Sequence, residues 1–320
     1  MFKKKGNLLL FLLLAIMLGA YFFISMQDKK KGERNFKGEV VDISEDKATK
    51  VVIYPGKTPD APVELTRDGD AWQVKLNENK KVTAVQNVVE NTFNEIQSIK
   101  PNRLASKSED KWAEYKVDDQ GTRVEVYEGN KKQLDIIIGK FDLDPRSLQQ
   151  NSQYGEKTNP KFTSYVRLAG EKEVFAVSGF YEGLNSQTVD AYRDKQMLKL
   201  EKANIQNINF NYPDSAFKLV LANDKWLAGG RAADSSKVVS YLTALSTLTG
   251  TKFLPAPSNE AYLNMVVTTK DGQETTFKAY AGNTAEESLI TSSDLPDAYF
   301  DGKTSSLRER LFVGKSRFIK

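Results

Sequence analysis

Residues 225–248 read "KWLAGGRAADSSKVVSYLTALSTL", and residues 71–96 read "AWQVKLNENKKVTAVQNVVENTFNEI". Each stretch opens on a Trp, passes through a short polar turn and ends in an apolar pattern of helical period. Val85, Val88, Val89, Ile96 and Ile99 recur at helical spacing over 83–99, and Pro101 stops the pattern. Val238, Tyr241, Leu242, Leu245 and Leu248 do the same in the second stretch. There Asp234 or Ser235 is placed to cap the helix, and Gly250 follows its end.

Working outward, the correspondence continues on both sides. "KVVIYPG" and "PVELTRDGDAWQVKL" read as strands around Pro55-Gly56 and Asp68-Gly69, matched later by "IQNINFNYP" and "AFKLVLANDKWLA". "TRVEVYEGNKKQLDIIIG" matches "YLNMVVTTKDGQETTFKAYAG", hairpins that turn near Gly129 and Gly272 and end at Gly139 and Gly282. "SYVRLAGEKEVFAVSG" matches "SLITSSDLPDAYFDG", and each half is expected to close on a charged helical segment, "AYRDKQML" (191–198) or "LRERLFV" (307–313). The expected fold class is therefore α+β, a tandem duplication of a strand–strand–helix–hairpin–hairpin–helix unit. The expected segments are a basic N-tail (1–6), a transmembrane anchor (7–26), a charged tether (27–48) and two repeats (49–200 and 201–320). Residues 141–162 form a polar insertion in the first copy only. Trp72 and Trp226, at equivalent places, read as core anchors.

The anchor is the strongest local signal. Leu8 to Met26 is a run of 19 residues without a charge, long enough at about 1.5 Å per residue to span the hydrocarbon core of a bilayer. Tyr21, Phe22 and Phe23 suit the interface. A cleaved signal peptide is the competing reading, but the small residues of a cut site are poorly supplied around Ala20. Counting flanking Lys and Arg leans toward a cytoplasmic body, whereas a six-residue N-tail ahead of a long domain is the usual form of a signal-anchor, with the body outside.

The distribution of charge also marks this segment as a membrane edge. The chain carries a formal net charge of +4, but residues 1–38 hold eight Lys/Arg against Asp28 and Glu33, which leaves the rest at −2. A near-neutral body lacks the basic face that nucleic acid requires. No His and no Cys occur, which excludes disulfides, thiolate catalysis, His-dependent triads and imidazole bases. No catalytic residue, metal set or cofactor is expected. "VGKS" (313–316) lacks the upstream Gly of a phosphate-binding loop, that position being Glu309. Asp135, Asp142 and Asp144 lack the order of a calcium loop, and "GGRAADSSK" (229–237) reads as a turn and a cap. The candidate partner contacts are Arg193, Asp194 and Lys195 in the first copy and Arg308, Glu309 and Arg310 in the second. The plainer alternative for both is solvated charge on an amphipathic helix.

The anchor, the run from Leu65 to Val74 ("LTRDGDAWQV"), the helix after it, the "IIIG" strand end, Tyr165-Val166 and the closing "YRDKQML" together resemble the bacterial family known as domain of unknown function 4340. The likeness covers nearly the whole chain beyond residue 45, as layout rather than as a catalytic signature. That resemblance implies an inner-membrane anchor with a periplasmic body, and an accessory role beside the permease and ATPase of ABC-type exporters, including those of gliding motility. It carries over no catalytic residue. A bitopic lipid- or glycan-binding protein is the alternative expectation, which calls for an apolar groove between sheet and helix. An Asp/Glu hydrolase is a third, which calls for two carboxylates converging in a cleft.

Overall fold

The computed structural model describes residues 40–148, 160–282 and 287–319. The chain divides into two compact units, the first ending at Arg193 and the second beginning at Asp194.

In the first unit the strands are β1 (Lys50–Tyr54), β2 (Val63–Asp68), β3 (Ala71–Asn77), β4 (Lys80–Thr83), β5 (Pro101–Ser106), β6 (Thr122–Glu128), β7 (Lys131–Leu143), β8 (Phe162–Leu168) and β9 (Val174–Ser178). They form one antiparallel sheet in the order β4-β3-β2-β1-β6-β7-β8-β9-β5. Helix α1 (Gln86–Gln97) joins β4 at one edge to β5 at the other, so it has to cross the sheet face. It buries Val89, Thr92, Phe93 and Ile96 against Leu65, Trp72, Val74, Ile136 and Val177. Short helices α2 (Trp112–Tyr115) and α3 (Glu182–Asn185) sit in connections.

The second unit has β10 (Ile205–Asn211), β11 (Phe217–Ala222), β12 (Lys225–Ala228), β13 (Arg231–Ala232), β14 (Phe253–Leu254), β15 (Ala261–Thr269), β16 (Glu274–Ala281), β17 (Ser288–Ser292) and β18 (Leu295–Asp301). Their order, β13-β12-β11-β10-β15-β16-β17-β18-β14, repeats that of the first sheet strand for strand. Helix α4 (Ser235–Ser246) again links one edge to the other, and α5 (Leu307–Leu311) follows β18. The β12–β13 turn has Gly229 and Gly230 at φ 56° and 80°, a pair of left-handed positions that a tight hairpin requires and glycine adopts without strain.

These sheets correct the expected fold class. The chain is mostly β, built on two large antiparallel sheets, and is not an α+β assembly of helix-and-hairpin units. The misreading has a physical source. Amphipathic helices announce themselves by strong periodicity, whereas edge strands such as "KKVT" (β4) and "PNRLAS" (β5) are short, polar and half-solvated, so no alternation marks them. The expected closing helix at 191–198 is likewise absent: a 3-10 turn at Val189–Ala191 is followed by extended chain that bridges Ala84 through Arg193 and Thr249 through Gln196. Among the described residues no helix is long and apolar enough to cross a membrane. The apolar segment 7–26 lies outside the described residues, as does 149–159 of the insertion.

The first sheet is covered on both faces. Opposite α1, residues 107–121 lie over β7, β8 and β9, and Val117, Ile137, Tyr165, Val174 and Ala176 form a second small core with Trp112 and Tyr115 packed against it. A Cβ at Gly139 would run into the Tyr115 and Lys116 carbonyls, so this covering segment can sit down only on a glycine. The Arg167 guanidinium pins it: Nε donates to Val117 O at 2.9 Å, Nη1 to Ala169 O at 3.0 Å, and Trp112 stacks 3.7 Å away. Burial outweighs the attraction of Asp135, Glu109 and Asp118 and shifts the Arg167 pKa down.

Candidate partner-contact surfaces

The sequence singled out two charged triplets, and the structure puts them in different roles. Arg193 is the last residue of the first unit. Its side chain is only 14 % exposed and is held by Asp190 at 3.0 Å. Asp194 and Lys195 open the second unit. Asp194 accepts from the Gln196 amide at 2.9 Å and pairs with Lys199 at 2.9 Å. Partial burial disfavours its carboxylate, but the Gln196 amide and Lys199 prevail and hold its pKa below the usual value. The Lys195 carbonyl accepts from Gly250 N at 2.8 Å, and its ammonium lies 5.9 Å from the Phe253 ring. Flanked by buried Tyr192 and Met197, the triplet is a connector whose charges are used locally.

The second triplet sits on α5, where Leu307 and Leu311 are buried, Glu309 and Arg310 are exposed, and Arg308 is half-buried 6.0 Å from the Tyr262 ring and 3.9 Å from Glu309. Arg308 and Glu309 line two shallow clefts of about 390 and 350 Å³, one with Phe312 and Arg317, the other with Tyr262 and Lys303. Open and lined by residues of mixed polarity and both signs of charge, these clefts suit contact with another macromolecule better than enclosure of a small ligand. In the first unit, a cleft of about 480 Å³ is lined by Pro62, Leu76 and Val189 with Glu64, Lys75 and Glu78 around them.

Two carboxylates do converge, at Glu125 and Asp135, which face each other across β6 and β7. Arg123 grips Asp135 through Nε at 2.8 Å and Nη2 at 2.7 Å and reaches Glu125 at 3.0 Å; Lys132 donates to Glu125 at 2.6 Å and to Asp135 at 2.9 Å. The Tyr127 hydroxyl donates to Glu125 at 2.6 Å. Burial alone would raise both carboxyl pKa values, but these hydrogen bonds and cations outweigh it and lower both. Acid–base hydrolysis needs one carboxyl held protonated beside one ionised, and here both are neutralised by ion pairs.

The remaining motifs resolve into structure. Asp142 accepts from the Tyr165 hydroxyl at 2.8 Å, apart from Asp135 in the Arg123 and Lys132 network; among the described residues no group of three or more acidic residues is placed to hold a metal ion. Asp234 caps α4, accepting from the amides of Ser236 at 3.0 Å and Lys237 at 3.4 Å, so the helix N-terminus already has its anion. "VGKS" runs into a 3-10 turn at Lys315–Arg317. The space between α1 and the first sheet, where an apolar groove would lie, is filled by Trp72, Phe93 and Ile96. Trp226, expected as a core anchor like Trp72, is only partly buried at the edge of the second core.

One surface feature escaped the sequence. Phe141, Leu143, Phe162 and Phe180 cluster at one end of the first sheet, with Phe141, Leu143 and Phe180 left 39, 37 and 46 % exposed. The signal was available in the alternation of Phe141 and Leu143, which prolongs β7 into a stretch taken for a polar loop.

The fold and these surfaces define a two-unit antiparallel β protein. The family described as Domain of unknown function (DUF4340) matches residues 72–265, more than half of the chain, and the chain belongs to that family. Neither the curated proteins nor the solved structures contain a match to it.

Proposed function

We propose that the chain is a non-enzymatic, single-pass membrane protein. Its two β units act outside the cytoplasm as an interaction body, accessory to an ABC-type transport or envelope complex of the bacterial inner membrane. The observation that carries this reading is the uncharged run from Leu8 to Met26, bounded by lysine clusters and placed just ahead of the folded body that begins at Val40. The filled sheet–helix space and the neutralised Glu125–Asp135 pair support an interaction body over a carrier or a hydrolase. The α5 charges Arg308, Glu309 and Arg310 are the contact surface we assign to a partner, since Glu309 and Arg310 are exposed beside open clefts while Arg193 is largely buried and held by Asp190.

Affinity purification of the tagged full-length protein in mild detergent, followed by mass spectrometry, tests this. Recovery of an ABC permease with its ATPase, and its loss in an Arg308→Glu, Arg310→Glu variant, is the expected outcome. Recovery of no transporter, with lipid or glycan retained on the purified protein, would sink the accessory role.

A further inference from the structure

On the α1 side of the first sheet, Ile138 on β7 pairs with Val166 on β8, and both are buried in the main core. Past a bulge after Ile138 the two strands run on, pairing Phe141 with Ser164 and Leu143 with Phe162. Side chains two apart share a face, so Ser164 and Phe162 continue the face of Val166, and Phe141 and Leu143 join them. The core-facing row therefore extends beyond the end of α1, which stops at Gln97. Phe180, just after β9, closes the cluster with its ring 4.6 Å from Phe141 and 5.0 Å from Phe162. What results is an apolar aromatic cluster open to its surroundings, on a chain whose mean hydropathy is −0.49. Grouped exposed apolar residues of this kind mark contact surfaces.

The position of the cluster says what covers it. Gln97 Nε2 donates to Ile43 O at 3.1 Å, so the chain enters the first unit beside the C-terminal end of α1. The Ser98 hydroxyl donates to the Tyr181 hydroxyl at 3.2 Å, which ties Phe180, the preceding residue, to that same end. Between Met26 and Val40 lie only residues 27–39, a tether of about 45 Å even at full extension. Lys140, next to Phe141 on β7, points to the other face of the sheet, its ammonium 5.5 and 5.6 Å from the Tyr115 and Tyr165 rings and 3.9 Å from Asp142, so the patch itself is apolar. Aromatic rings at the end of the unit where the tether arrives suit the interfacial region of a bilayer.

We infer that Phe141, Leu143, Phe162 and Phe180 form a lipid-contact patch by which the first unit rests on the surface of the bilayer holding the N-terminal segment. This rests on the membrane attachment proposed above. The patch is a second, reversible contact, shallow compared with a spanning helix, and it would orient the first unit relative to the membrane.

The chain contains no cysteine, so single substitutions report single positions. Full-length protein carrying Phe180→Cys, Leu143→Cys, Val239→Cys or Ala15→Cys would be spin-labelled and reconstituted into vesicles of phosphatidylethanolamine and phosphatidylglycerol. Collision with oxygen, which concentrates in lipid, is then compared with collision with a water-soluble nickel chelate. Labels at 180 and 143 are expected to be several-fold less accessible to nickel than the label at Val239, which is 52 % exposed on α4, while staying open to oxygen. Nickel accessibility equal to that at 239 overturns the patch, and so does shielding from both reagents, which would mean a protein contact. The label at 15 separates the two proposals. Lipid at 15 with water at 180 and 143 defeats the patch alone, and water at all three defeats the membrane attachment as well. Lipid at 180 and 143 with water at 15 keeps the patch and defeats the anchor. Agreement between 143 and 180 guards against a local disturbance from either substitution.

Discussion

The two units have one strand order and helices of equal length, yet they fill their cores with different side chains. The buried positions of α1 are Val89, Thr92, Phe93 and Ile96, and those of α4, at the same spacing, are Val238, Tyr241, Leu242 and Leu245. Where the first unit has a small Thr92, Tyr192 comes in from the end of the unit and bonds the Thr92 hydroxyl at 2.9 Å. Burial pushes the Tyr192 phenol up to about 12. Where the second has Tyr241, that residue's own hydroxyl reaches Leu311 O at 2.7 Å. A helix crossing a sheet needs a given volume and a satisfied polar atom at that point, and either side of the interface can supply them. The units also differ outside the core: the first sheet has a second core under residues 107–121, with no counterpart cluster on the second sheet among the described residues.

The largest expected effect breaks the equivalence of the tryptophans. Trp72 is fully buried with its ring 5.5 Å from Phe93, so Trp72→Ala should cost about 3–5 kcal/mol of stability. Trp226→Ala, at a partly buried edge, should cost well under half of that; chemical denaturation followed by circular dichroism compares them. Equal losses would mean that both anchor their cores. Next, Gly139→Ala should push residues 107–121 off the first sheet, at about 1–3 kcal/mol for forced overpacking, and open that segment to protease while the second unit stays resistant.

Acid sharpens the contrast in a third way. Glu125 and Asp135 have pKa values below their ordinary 4.5 and 3.8. Their contribution is therefore complete above those ordinary values and is lost as pH falls through the lower folded-state values. Stability measured from pH 6 down to 3 should decline less steeply in Glu125→Gln, which carries no proton to gain. Such a pH window follows from the model-peptide range of about 4. The smallest effects concern caps. No side chain caps α1, whose N-cap is Val85, whereas Asp234 caps α4. Val85→Thr should stabilise α1 by about 0.5 kcal/mol, and Asp234→Ala should destabilise the first turn of α4; amide hydrogen exchange in each helix reads both.

Much of this was legible beforehand. The spacing of Val238, Tyr241, Leu242 and Leu245 located α4 and its buried face, Asp234 was read as one of two candidate caps, and the hairpin turns at Gly129 and Gly272 fell at left-handed positions. Edge strands were not legible, because β13 and β14 are two residues each and acquire their identity only by pairing with β12 and β18. The surroundings of the charged runs were not legible either. A run such as Arg193-Asp194-Lys195 looks the same whether its charges face solvent or, as here, meet Asp190 and Lys199.

By itself the sequence determined the apolar N-terminal run, the absence of imidazole and thiol chemistry, and the two helices with their apolar faces, since each depends on composition or on a period within a dozen residues. Only the tertiary structure decided that the strands join into two large sheets of one order, that Glu125 and Asp135 are mutually neutralised with Arg123 and Lys132, and that three phenylalanines far apart in the chain meet at one exposed end. Those outcomes depend on which strand lies beside which, and strand pairing is set by long-range closure and packing that no local pattern encodes.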